Sequence, residues 1–152
     1  MEIIIATGER LDETKEYLEQ NYQGYKIIDL HTQITEESTI LDIIDAVHKS
    51  TIEYNLCIRD AVQAKENVVI VGAWLQDLIN SHHILQRDHE QKKSFITLSN
   101  AINHFHSYCI MPHKVLYLEN KAFPLSKTKK LSYDIYLGNC KTNGIETDTI
   151  KY

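Results

Sequence analysis

The chain is poor in the residues that break structure, with two prolines and five glycines in 152 positions. So few breakers leave little room for a linker or a low-complexity tract, and the fold is expected to be compact along its length. Cysteine is scarce as well. Cys57, Cys109 and Cys140 are odd in number, far apart and without a Cys-x-x-Cys spacing, which argues against a disulfide framework or a structural zinc site and points to a reducing compartment. No apolar run approaches the ~20 residues that span a bilayer, and Met1-Glu2-Ile3-Ile4-Ile5 is too short and too acidic for a signal peptide. A cytoplasmic protein without a membrane span is therefore expected. Positive charge is the minority sign, with 16 Lys and Arg against 21 Asp and Glu and a net charge of −5. Phosphate backbones are held by clustered cations, so a broad nucleic-acid surface is not expected and only a local basic patch stays open.

What the chain does have is a strong apolar pattern. At 43% hydrophobic residues and the length of one ordinary domain, it can bury roughly two thirds of the surface its unfolded form exposes, and a single domain over residues 1–152 is expected. Val68-Val69-Ile70-Val71 is four consecutive β-branched residues closed by Gly72, the signature of a strand buried on both faces in a parallel sheet. Ligands of such sheets bind beyond the carboxyl ends of the strands, which puts Gly72-Ala73-Trp74 at the working edge.

The other elements follow in order. Glu2 to Ala6 reads as a first buried strand turning at Thr7-Gly8. Asp12 can cap a helix carrying Leu11, Leu18 and Tyr22 and ending at Gly24, and Tyr25 to Leu30 reads as a second strand. Ser38 opens a long helix with Ile40, Ile44, Val47, Thr51, Tyr54, Ile58 and Ala61 on one face, about seven turns through Ala64. Leu75 to Leu85 is helical, and Phe95, Leu98, Ile102, Phe105 and Cys109 mark another helix. Met111-Pro112-His113 breaks it before a strand over Lys114 to Glu119. Tyr133 to Leu137 alternates polar and apolar residues, which suggests an edge strand, with Gly138-Asn139 and Asn143-Gly144 turning a terminal hairpin. The expected class is α/β: three layers around a mainly parallel sheet, with a short C-terminal hairpin.

This order, with Ile3-Ile4-Ile5-Ala6-Thr7-Gly8, Arg59-Asp60-Ala61-Val62 running through to Val68-Val69-Ile70-Val71, and Met111-Pro112-His113-Lys114-Val115-Leu116-Tyr117-Leu118, resembles the P-loop nucleoside and nucleotide kinases, in particular the thymidylate-kinase and deoxynucleoside-kinase group. The likeness spans about Glu2 to Leu118 and is carried by apolar pattern and order. It implies a P-loop kinase-like fold with a phosphate loop after the first strand, an acidic-Arg pair after the third, and an arginine-bearing lid.

The residues at those places depart from the family's chemistry. A phosphate loop of the form Gly-x-x-x-x-Gly-Lys-Ser/Thr closes its backbone amides on the phosphates and places a lysine and a hydroxyl on them and on Mg²⁺. Here Gly8 matches, but Glu13 stands for the second glycine, Thr14 for the lysine and Lys15 for the hydroxyl. Glu9, Asp12 and Glu13 would each cost ~1 kcal/mol against a polyphosphate even in water. Gly72 and Ala73 occupy the acidic-Arg positions and can take neither a proton nor a phosphate, and Arg87 is the only arginine in the lid region.

Each candidate also has a plain structural account. Gly8 can be a tight turn, Arg10 and Lys15 solvated surface, and Trp74 either a stacking platform or core packing. Six of the eight histidines, His82, His83, His89, His104, His106 and His113, cluster in sequence but lack the i, i+4 pair that zinc favours on a helix, so no metal site is expected. Cys57 and Cys109 lie on apolar helix faces, and Lys121, Lys127, Lys129 and Lys130 read as a solvated loop or as a basic patch that meets an acidic partner. The expectation is a kinase-like pseudoenzyme, a regulator or inhibitor, with no catalytic residues and no cofactor. It would bind a protein partner or a nucleotide through Gly8, Arg10, Thr14, Lys15, Trp74 and Arg87. Two other readings stay open: a working nucleoside or nucleotide kinase using ATP and Mg²⁺ with Lys15 in the lysine's role, and a different α/β enzyme built on the histidine-rich segment, with His89 beside Asp88 as its base.

Overall fold

A computed structural model describes residues 1–30, 32, 34–35, 37–86, 100 and 109–152. Five strands form one parallel sheet in the order β2-β3-β1-β4-β5. They are β1 (Ile3–Thr7), β2 (Lys26–Asp29), β3 (Val68–Val71), β4 (Lys114–Glu119) and β5 (Glu146–Lys151), with helices α1 (Leu11–Asn21), α2 (Ile40–Ala64), α3 (Ala73–Gln86) and α4 (Lys127–Thr142). β1 sits in the middle, with Ile5 facing Ile70 of β3 on one side and Val115 of β4 on the other. Every residue of β1 and β3 is buried. That burial is why these strands read as unbroken apolar runs, whereas the edge strands β2 and β5 are partly exposed.

Alternation along the strands feeds two cores. Ile3, Ile5, Val68, Ile70, Val115 and Tyr117 face Tyr54 of α2, Leu78 of α3 and Leu137 of α4. Ile4, Ala6, Val69, Val71, Leu116 and Leu118 face Leu18 of α1. The three-layer α/β architecture expected from sequence is the one observed. Among the described residues, no helix is long and apolar enough to cross a membrane.

Three local expectations are corrected. Asp12 does not cap α1: Arg10 holds the cap position without a side-chain bond, and Asp12 and Glu13 fall in the first turn, where carboxylates suit the helix dipole. Thr39, not Ser38, caps α2 through a reciprocal box with Asp42, at 3.2 and 3.0 Å. Ser38 instead accepts the Thr35 amide at 3.0 Å. The largest correction is at the C-terminus, where no hairpin forms. Tyr133 to Leu137 lies inside α4, capped by Ser126, and β5 pairs parallel to β4. Five alternating residues fit both periods, and the helical one wins because Ser132, Tyr133, Leu137 and Cys140 make a buried stripe. Asn143-Gly144 does turn the chain, with Gly144 at φ 79°, but it joins helix to strand. The helix expected from Phe95 to Phe105 lies outside the described residues.

Candidate functional site

The strand order reverses around β1, so the crevice of this sheet lies at the carboxyl ends of β1 and its neighbours. Gly8 follows β1 there. A Cβ on Gly8 would stand 2.6 Å from the Leu118 carbonyl oxygen and 3.3 Å from Thr14 Oγ1, so the close approach of β1 to β4 demands glycine whatever the loop binds. Thr14, in the family's lysine position, is fully buried beneath it.

The Thr7 hydroxyl, the Gly8 amide and the Glu9 carboxylate are engaged with the protein itself. Gly8 N–H donates to Gln76 Oε1 at 3.0 Å, and the Thr7 hydroxyl donates to the same oxygen. Gln76 Nε2 in turn donates to the Tyr133 hydroxyl at 3.0 Å and to Asn80 Oδ1 at 3.1 Å. Tyr133 donates its proton to Glu9 Oε2 at 3.2 Å, while Lys129 Nζ meets Glu9 Oε1 at 3.0 Å and Asn80 Oδ1 at 3.3 Å. The result is a closed ring of hydrogen bonds between the β1 loop, α3 and α4. Burial, followed by the Glu9 carboxylate, pushes the Tyr133 phenol well above its ordinary range, so it stays a proton donor.

A second cluster lies on the α1 side of Gly8. Arg10 Nε pairs with Glu13 Oε1 at 2.9 Å, and its guanidinium lies 3.6 Å over the Phe123 ring. Glu13 Oε2 accepts from Asn120 Nδ2 at 2.8 Å and from the Tyr152 hydroxyl at 3.5 Å. The Asn120 bond and Arg10 hold the Glu13 carboxyl below its ordinary value. The cleft between Arg10, Glu119, Phe123 and Tyr152 has a volume of ≈ 10 Å³, room for about one water.

Of the sequence candidates, Gly8, Arg10 and Thr14 are brought together at this rim. Lys15 is half-buried on α1 and makes no ion pair among the described residues. Arg87 lies outside the described residues. Trp74 is not a stacking platform at the rim. Because α3 begins at Ala73, directly after β3, Trp74 is drawn into the core, 2% exposed and edge-on to Tyr54 at 6.1 Å. There it lines, with Leu78, Tyr136 and Cys140, a cavity of ≈ 170 Å³ between α3 and α4. Gly72 and Ala73 both hold positive φ, at 86° and 55°, a conformation free to glycine and strained for the alanine.

The histidines divide. His113 Nδ1 accepts the Ile3 amide at 2.9 Å, a structural contact, and His82 Nδ1 meets Ser132 Oγ at 2.9 Å. Burial lowers the pKa of both His82 and His83. His89, His104 and His106 lie outside the described residues. Among the described residues, no group of three or more His, Cys, Asp or Glu could hold a metal. Cys109 and Cys140 are buried thiols whose pKa values burial pushes up to about 11.

Sequence reasoning missed Glu9 as a structural partner and missed Gln76 and Asn80 altogether, while Lys129, read as part of a solvated loop, and Tyr133, read as part of an edge strand, both lie on α4 against Glu9. Gln76, Asn80 and His83 do fall at i, i+4 and i+7 of α3, but that helix also carries Asp77, Ser81, His82 and Gln86, so no distinct polar stripe marks the ring in the sequence.

No family model matches the chain, and no curated protein matches it in sequence. In three dimensions it is similar to thymidylate kinase from Ehrlichia chaffeensis, with 11% identity, a TM-score of 0.54, and coverage of 99% of this chain and 86% of that one. What the two share is the fold: a parallel-sheet α/β architecture of the P-loop kinase kind.

Proposed function

We propose that this chain is a kinase-like domain without phosphotransfer activity that acts by binding, as a regulator or inhibitor, with a protein partner or a nucleotide as its target. One observation supports the reading above the others. In the loop after β1, the Gly8 amide is taken by Gln76 and the Glu9 carboxylate stands against Lys129, so an anion is already present beside the place where the family receives phosphate. Glu13 in the second glycine's position and the water-sized cleft beside Arg10 point the same way. Gly72 and Ala73 add no base and no clamp.

The test is thermal unfolding with ATP, with dTMP and with both, each with and without Mg²⁺. Ligand that binds the folded state raises the melting temperature by mass action, by about 2.7 kcal/mol of stability at a hundredfold excess over Kd. The expected outcome is no rise with ATP·Mg²⁺. A rise together with a phosphotransfer activity that Lys15→Ala abolishes would overturn the proposal in favour of a working kinase with an atypical loop.

A further inference from the structure

We propose that Lys129 and Tyr133, braced by Asn80 and Gln76, form an oxyanion-binding site that the chain fills with its own Glu9 carboxylate, and that a phosphate or carboxylate group of the target enters by displacing Glu9. The inference rests on the binding reading above and names how the same rim receives its ligand.

The geometry is that of a receptor already holding an anion. Each Glu9 oxygen has its own donor, Lys129 Nζ on Oε1 at 3.0 Å and the Tyr133 hydroxyl on Oε2 at 3.2 Å. Those donors do not depend on Glu9 for their position. The Tyr133 hydroxyl accepts from Gln76, which leaves its proton to point outward, and Lys129 is tethered to Asn80 Oδ1. Both side chains are substantially withdrawn from water, Lys129 being 16% exposed and Tyr133 1%. In such surroundings a cation and a hydroxyl aimed at one point favour an oxyanion over any neutral group.

Glu9 is the most exposed member of the ring. It lies outside any strand or helix, between β1 and α1, and its side chain is 33% exposed, so rotation about its own bonds moves the carboxylate into solvent without moving the sheet. A second observation stands behind the first. His83, 8% exposed, has a buried Nδ1 with no hydrogen-bond partner among the described residues, and its protonation is opposed by the Lys129 charge and favoured by that of Glu9. An unpartnered buried polar atom of this kind is a group that a ligand can satisfy.

The experiment measures binding of inorganic phosphate, sulfate and acetate, without nucleotide or Mg²⁺, to the native chain, to Glu9→Ala and to Glu9→Ala/Lys129→Met. Calorimetry and thermal shift are the readouts. Removing the internal carboxylate should tighten phosphate binding by about tenfold or more, and adding Lys129→Met should return it to the native level. Equal affinity in the native chain and Glu9→Ala would overturn the proposal, as would tight binding that survives Lys129→Met. If Glu9→Ala fails to fold, Glu9→Gln keeps the shape of the side chain while removing its charge, and the same comparison applies. Stronger acetate than phosphate binding would assign the site to carboxylate ligands, and the reverse to phosphate. Because nucleotide and metal are left out, failure here does not bear on whether ATP·Mg²⁺ binds the native chain, and each reading can fall alone.

Discussion

Two polar clusters flank Gly8, and they are built from the same kinds of groups with different consequences. On the α1 side, Arg10 and Glu13 are 40% and 37% exposed, and water competes for every contact they make. On the α3–α4 side, Gln76 and Tyr133 are buried, and Lys129 is nearly so. An exposed ion pair contributes about 0–1 kcal/mol, whereas each buried polar group stripped of its partner costs about 1–3 kcal/mol. The inner cluster is therefore part of the fold's framework, and the outer one is a surface arrangement that can be rebuilt cheaply.

Gln76→Leu should show the largest effect. The change keeps the side-chain volume roughly constant but strips partners from the Gly8 amide, the Thr7 hydroxyl, Asn80 and Tyr133 together. Two or more unsatisfied buried groups imply a loss of about 3 kcal/mol or more. In a chain of this length that is roughly 6–12 °C in melting temperature. A loss of less than about 1 kcal/mol in denaturant unfolding would mean that the ring of bonds is not a framework, and the contrast between the clusters would disappear.

How much of this was legible follows the same division. β1, β3 and β4 could be read because a strand buried on both faces writes its burial into consecutive residues, as Val68 to Val71 does. The α4 helix was misread because Tyr133-Asp134-Ile135-Tyr136-Leu137 satisfies two periods at once, and only the wider stripe ending at Cys140 separates them. Gly8 stood out as a loop glycine, but its reason, the Leu118 carbonyl 2.6 Å from where a Cβ would be, belongs to a strand more than a hundred residues away. The inner ring was not legible at all, since Glu9, Gln76 and Lys129 meet only after three separate elements pack. Trp74 was assigned to the rim by its place after β3, and the immediate start of α3 carried it inward.

A smaller effect should appear in the pH dependence of the inner cluster. Burial, then Lys129, lowers the His83 pKa from its ordinary 6.5, with Glu9 opposing and His82 beside it. The folded state thus binds a proton less readily than the unfolded one. Stability is full above about pH 6.5 and falls as the pH drops through the lowered folded value. His83→Leu should flatten that part of the profile while leaving the more acidic part unchanged. An identical slope in the variant would place the titration elsewhere.

The smallest effect belongs to the outer cluster, and it should come in a different pH window. The Glu13 carboxyl is held below its ordinary 4.5 by Asn120 and then by Arg10. Its charged form is the one the fold favours, so its contribution is present above that value and disappears as acid protonates it. Glu13→Gln should leave the urea midpoint at neutral pH almost unchanged and flatten only the region below about pH 4.5. Salt separates the clusters further. With a Debye length of about 8 Å at 0.15 M and 3 Å at 1 M, raising ionic strength should erase the difference between the native chain and Glu13→Gln while leaving the His83→Leu difference in place, because ions reach the Arg10–Glu13 pair and reach the inner ring far less. If both differences vanish together in salt, the inner ring is as wet as the outer one, and Glu9 is held at Lys129 by nothing a surface pair would lack.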